Sequence, residues 1–178
     1  MQRTALDMIA RHILPLAALL ALAGCAAETF PERPEPAPSA PSFYTSMATP
    51  GARVDAQGAA EMISLYRGNH GLEPVAVDSG LMEEARRQAE AMSSADKLSH
   101  EVRGSLTDRL NRAGYAKSKA VENVSAGYHT VAEAFSGWRD SPPHNANMLA
   151  SGMKRMGIAA VYNPRSKYHV FWALVMAN

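Results

Sequence analysis

Apolar residues recur at helical spacing through most of the chain and switch to a strand-like pattern near its C-terminus. Ala59, Met62, Ile63, Leu65 and Tyr66 suit an amphipathic first helix, ended by Gly68 and Gly71. Asp78 or Ser79 can cap a second helix. Its Leu81, Met82, Ala85, Ala89 and Met92 recur at helical spacing, while Glu83, Arg86, Arg87 and Glu90 fill other faces. A third, shorter helix fits Leu106 to Arg112 and stops before Gly114. Thr130 and Glu133 make a capping-box pattern ahead of Ala134, Phe135 and Trp138. Ser141 is a good N-cap and Pro142 fits the first helical position, which puts His144 in the first turn of a further short helix. Met156 to Tyr162 and Tyr168 to Met176 are then rich in β-branched and aromatic residues, separated by Asn163-Pro164-Arg165-Ser166. Helices first and a terminal hairpin predict an α+β layered domain over residues 54–178, with no internal repeat and no heptad array.

One hydrophobic run stands outside this pattern. Ile13 to Leu22 contains no polar residue, follows Arg3 and Arg11, and is too short for an ordinary transmembrane helix. It ends in Leu22-Ala23-Gly24-Cys25, which resembles the lipobox of bacterial lipoproteins. Such a match implies cleavage before Cys25 and attachment of lipid to its sulfur and to its new amino group. Residues 1–24 are then a signal peptide and 25–53 a lipidated N-terminus with its spacer. By analogy with enteric lipoproteins, Ala26 in place of an aspartate implies an outer-membrane destination facing the periplasm if the organism has two membranes. Cys25 is the chain's one cysteine, so the remainder has no disulfide and its core alone must hold it. Five prolines in the run from Pro31 through Pro41 fix φ and remove donors, which predicts an extended spacer acting as a tether.

Charge narrows the partners. The chain carries 18 basic and 17 acidic side chains. Loss of residues 1–24 removes two arginines and one aspartate and leaves the two signs equal. A balanced domain offers no electrostatic case for nucleic acid or for a polybasic membrane patch, so lipid on Cys25 would make the membrane attachment.

Three short stretches carry candidate chemistry: Ser99-His100, Val121-Glu122-Asn123-Val124, and Trp138 to His144. Imidazoles and a carboxylate converged by folding make either a metal site or an acid/base site. His100 as a ligand needs one ring nitrogen free and the other held by an acceptor. Glu122 lies among Val121, Val124 and Ala126, so its burial requires pairing; it is a ligand, a general base, or a bridge between backbone amides. Asn123 reads as structural, satisfying buried backbone groups. The helix dipole should keep His144 neutral. Ser141 beside His144 resembles a nucleophilic pair, but an N-cap serine spends its oxygen on backbone, and no Gly-x-Ser-x-Gly elbow is present. Trp138 reads as core and Glu133 as a cap. His70, His129 and His169 read as exposed or loop-bound, with His169 a distant reserve ligand.

The order of these segments resembles the CAP superfamily (cysteine-rich secretory, antigen 5 and pathogenesis-related 1 proteins) in its short bacterial form. Leu65 to Val75 resembles the family's first helix and turn, and Met82 to Met92 its alanine-rich second helix. Ser99-His100, Arg109 with Ala113-Gly114-Tyr115, Val121 to Val124, and Trp138 to Leu149 match further family segments in order. The resemblance implies a three-layer α-β-α sandwich with a central antiparallel sheet. It also implies a cavity where histidines and glutamates meet, which in some members holds a divalent ion such as zinc. By position His100 and Glu122 are the matching cavity residues, His144 matches the bacterial histidine, and Asn123 and Ser141 adjoin them. Ser141 stands where larger members have a second glutamate, Phe171 where they have a second histidine, and Gln88 where many bacterial members have one. The expected function is a lipid-anchored binding module of the cell envelope, recognising an envelope component, a small ligand or another protein. The alternatives are a metal-assisted, peptidase-like hydrolase with Glu122 as base, and a carrier of an apolar lipid.

Overall fold

A computed structural model of the protein describes residues 40–178, so the signal segment, Cys25 and the spacer over 31–39 lie outside the described residues. Four of the five predicted helices form where a capping side chain meets an apolar face. Asp55 accepts the Gly58 N–H at the start of α1 (Ala56–Gly68), which buries Ala59, Ala60 and Ile63. A two-residue strand, β1 (Ala76–Val77), leads into α2 (Ser79–Ala95), whose cap is Asp78, accepting from the Leu81 N–H. Ser105 caps α3 (Leu106–Arg112), and β2 (Ala120–Ala126) follows. At α4 (Val131–Asp140) Thr130 accepts the Glu133 N–H, while Glu133 reaches back to the His129 N–H. α5 (Pro142–Met148) starts on paired prolines. The predicted hairpin closes the chain as β3 (Arg155–Tyr162) and β4 (Val170–Ala177).

The strands join in the order β1-β3-β4-β2. β4 pairs antiparallel with both neighbours, and β1 adds a short parallel edge to β3. Central β4 is buried along its whole length, which is why its sequence reads as a continuous apolar run instead of an alternation. One sheet face packs Ile158, Trp172 and Leu174 against Ile63 of α1, Trp138 of α4 and Met148 of α5. The other packs Val124, Phe171 and Val175 against Leu81, Ala85 and Met92 of α2 and Leu110 of α3. This is the expected α-β-α sandwich. α2 approaches β3 so closely that a Cβ on Gly157 would run into the Leu81–Met82 backbone.

Besides the short parallel strand β1, which neither the pattern nor the expected antiparallel sheet included, two features depart from the pattern read in the sequence. The packed body begins ahead of residue 54: Met47 is buried and donates its N–H to His129 O at 2.6 Å, so part of the spacer expected over 25–53 belongs to the fold. A lone methionine among polar residues has no periodicity to announce it. β2 was not expected as a strand, because Glu122 and Asn123 put a buried polar side chain on each of its faces and erase the usual alternation.

Candidate functional site

β2 forms one edge of the sheet, and the three candidate stretches meet there. Glu122 is 5% exposed, and both of its oxygens are engaged. Oε2 accepts from Arg109 Nη2 at 2.7 Å and Oε1 meets His100 Nδ1 at 2.8 Å. Arg109, also buried, donates to Glu84 Oε1 at 2.7 Å, and Arg103 donates to the same oxygen at 2.9 Å. Two carboxylates thus face two guanidiniums, and the cluster balances without a charge on His100. Burial of such charges is tolerable only when each is paired in this way.

The same residues fix His100. Gln88 of α2 donates to the carbonyls of Ser99 and His100 at 2.9 and 3.2 Å, and Arg109 donates to His100 O at 3.3 Å. The side chain itself is 55% exposed, at the rim of the site. Its hydrogen bond to Glu122 holds the imidazole pKa above its ordinary value, with burial pulling the other way. If Nδ1 donates to Glu122, Nε2 is left as the lone-pair nitrogen, with no partner among the described residues.

His144 is half-buried in the first turn of α5. Its pKa lies below the ordinary value because burial disfavours the cation and His100 adds a like charge. The expectation that it stays neutral therefore finds support, through desolvation and a neighbouring imidazole. The expected cap does not form: Ser141 makes no side-chain bond to the α5 backbone, and its Oγ lies 2.9 Å from His144 Nδ1. Pro142 and Pro143 present no N–H in that first turn, and the hydroxyl lies against the His144 ring instead of the His144 N–H, the third helical position that each of the other four caps uses.

Amide side chains hold α5 on β2. Asn123, 1% exposed, donates to His144 O at 3.0 Å, and Asn147 donates to Glu122 O and to Asn123 Oδ1, both at 2.9 Å. Buried Arg67 of α1 donates to Met148 O at 2.7 Å and to Ala150 O at 3.0 Å, tying down the far end of α5. Asn123 is thus a structural residue, as read from the sequence.

Chemically, the site offers two imidazole Nε2 atoms and a hydroxyl above a locked carboxylate. Glu122 bridges side chains rather than backbone amides. Its two oxygens are spent on Arg109 and His100, which leaves it an orienting partner in the manner of a carboxylate–histidine pair behind a metal. Among the described residues no group of three or more His, Cys, Asp or Glu side chains is arranged to hold a metal. The imidazoles of His100 and His144 are the nitrogen donors this edge presents, and two side chains alone fall short of the three or four protein ligands of an ordinary zinc site. No carboxylate among the described residues orients His144 as a serine-hydrolase base would require. His70 bonds the Tyr66 carbonyl, while His129 and His169 meet edge to face with ring centroids 6.4 Å apart. His169 precedes β4 at the end remote from Val175, the partner of Glu122. Phe171 is core.

Arg109, Glu84, Gln88 and Asn147 are the residues whose roles were missed. A signal existed for two of them: Glu84 and Gln88 fall on the same helical stripe as Leu81, Ala85 and Met92, where a polar side chain must find a buried partner. Nothing at residue 109 or 147 marks the partner in advance.

The chain matches the family model described as CAP, the cysteine-rich secretory protein family, over residues 60–176. It is 27% identical to the uncharacterized protein YkwD of Bacillus subtilis (strain 168) over 103 residues, which is 57% of this chain and 40% of that protein. The chain therefore spans well under half the length of that relative. An extracellular protein from Bacillus anthracis that contains an SCP domain superposes with a TM-score of 0.59 at 24% identity, over 68% of this chain and 39% of that one. An outer surface protein from Borrelia burgdorferi superposes with a TM-score of 0.62 at 14% identity, over 72% of this chain and 98% of that one. These likenesses establish the sandwich fold.

Proposed function

Because the chain belongs to the CAP family of cysteine-rich secretory proteins, we propose that it is an extracytoplasmic binding module, held at the envelope by lipid on Cys25. Its recognition site is the His100–Glu122–His144 cluster. The observation that carries this reading is the state of Glu122: both oxygens are committed, at 2.7 and 2.8 Å, to groups that hold it still. A general base needs a free oxygen within reach of water or substrate. A residue that orients a binding imidazole does not. The two solved relatives named above are described as extracellular and as an outer surface protein, which supports an extracytoplasmic placement. Lipobox-like Leu22 to Cys25 supports the anchor.

His100 and His144 would hold a divalent ion such as zinc, with an anionic or carbonyl group of an envelope ligand, or solvent, supplying the remaining donors. When bound, the ion would supply Lewis acidity toward that group. The residues of this chain orient the two rings, keep His144 neutral, and hold α5 against β2.

Glu122→Gln separates binding from hydrolysis. In a binding module the variant still takes up zinc, with affinity lowered roughly 10- to 100-fold because an orienting partner is weakened. Calorimetry on wild type and variant reads this directly. A wild-type protein that cleaves peptide substrates in a zinc-dependent way, with cleavage abolished in Glu122→Gln, would replace this reading with the hydrolase.

A further inference from the structure

The opposite edge of the sheet is open. β1 covers β3 at Arg155 and Met156, and from Ile158 to Tyr162 β3 has no strand beside it on that side among the described residues. Asp78 donates its N–H to Met156 O on the β1 side, while Asn163 N–H reaches His169 O on the β4 side. With the two-residue period of a strand, Ile158, Ala160 and Tyr162 therefore turn their N–H and C=O groups outward. The Ile158 N–H meets the sulfur of Met82 at 3.2 Å, a weak acceptor. The outward groups of Ala160 and Tyr162 have no partner among the described residues.

A groove of about 780 Å³ runs along this stretch, lined by Val54, Val77, Met82, Ile158 and Val161. A second hollow of about 400 Å³ shares Ala160 and Val161 with it and continues to Tyr162 and Pro164. One wall is the segment 51–54, whose Ala52 and Val54 pack with the α1 side of the sandwich, and the other is α2. The groove thus lies in the plane of the sheet, between the helical layers, where a further strand would lie. Its lining carries two arginines and two glutamates, and among the described residues Arg53 alone of the four stands outside an ion pair. On the α2 wall Arg86 is paired with Glu83 and Glu90. Exposed Arg53, on the opposite wall, has no carboxylate partner among the described residues.

We infer that this edge binds an extended segment of a partner polypeptide by strand addition, with an acidic side chain of that segment meeting Arg53. An edge of alternating free donors and acceptors is matched by an extended backbone, and the apolar walls accept its alternate side chains. The exposed length, Ile158 to Tyr162, suits a segment of about five residues. This site is remote in the sheet order from β2 and stands or falls independently of the histidine cluster.

The test uses the full chain as bait for a phage-displayed library of random heptapeptides, with enriched peptides synthesised and their affinity read by fluorescence anisotropy. Ala160→Pro removes an outward N–H and leaves the β4 ladder intact, a change tolerated at sheet edges. The proposal predicts enriched peptides that bind Ala160→Pro at least about tenfold more weakly. It also predicts that acidic residues are over-represented among them and that Arg53→Glu weakens the acidic ones. Should Ala160→Pro melt well below wild type, N-methylation of the peptide replaces it: methylating alternate residues must abolish binding in one parity and spare it in the other. Failure of any heptapeptide to enrich, equal binding to wild type and a folded Ala160→Pro, or indifference to the parity of methylation would overturn the proposal. So would a wild-type dimer in sedimentation that Ala160→Pro dissociates, which would make a second copy of this chain the occupant.

Discussion

At the scale of single residues the site is governed by one buried guanidinium. Arg109 sits between Glu84 and Glu122, and its removal leaves two carboxylates buried with diminished compensation. Arg109→Met should therefore cost about 3–5 kcal/mol of folding stability, measured by urea unfolding. The two histidines titrate in opposite directions from the ordinary value, His100 above it through its hydrogen bond to Glu122 and His144 below it through burial. His100 consequently adds stability that is full below the unfolded-state pKa and is lost as pH rises through its folded pKa. His144 acts in the other sense: its contribution is present above the unfolded-state pKa and is lost as pH falls through its folded one. Imidazole NMR across this range should show the two displaced transitions, with Glu122→Gln bringing His100 back down. Coincident transitions in wild type would mean that Glu122 and burial do not act on these rings.

At the scale of elements, local signals were sufficient wherever a cap met a periodic face. Asp78, Ser105 and Thr130 all open helices where the sequence pattern placed or permitted them. The terminal hairpin was equally legible, since β4 is apolar throughout. Legibility failed where the determining interaction is tertiary. β2 carries Glu122 because Arg109 and His100 wait for it, and Ser141 leaves the α5 backbone because His144 is three residues away. His100, Glu122 and His144 could be named as neighbours from the family pattern, but the locked state of Glu122 depends on an arginine whose pairing no spacing encodes. Contact between α2 and β3 is a further tertiary constraint. Gly157→Ala would push a Cβ into the Leu81–Met82 backbone, which has no side-chain freedom to give way. The cost should reach about 3 kcal/mol or more, at the upper end of overpacking effects, with thermal unfolding as the measurement.

At the scale of the whole molecule, no helix among the described residues is long and apolar enough to cross a membrane. Under the proposed lipid anchor, Cys25→Ser should move the protein from the membrane fraction to the soluble one on cell fractionation. Retention at the membrane would count against lipidation. The sandwich itself serves mainly to bring α3, β2 and α5 to one sheet edge, with Arg67 and the asparagines fastening α5 in place. The proposed binding module requires that His100 and His144 act as one recognition pair above a fixed carboxylate. Imidazole NMR of the full chain during a zinc titration tests it most directly. Nε2 of both rings should shift together, saturating at one ion per chain, while His70, His129 and His169 stay unmoved. Zinc that leaves both rings unchanged, or that shifts His129 and His169 instead, would contradict it.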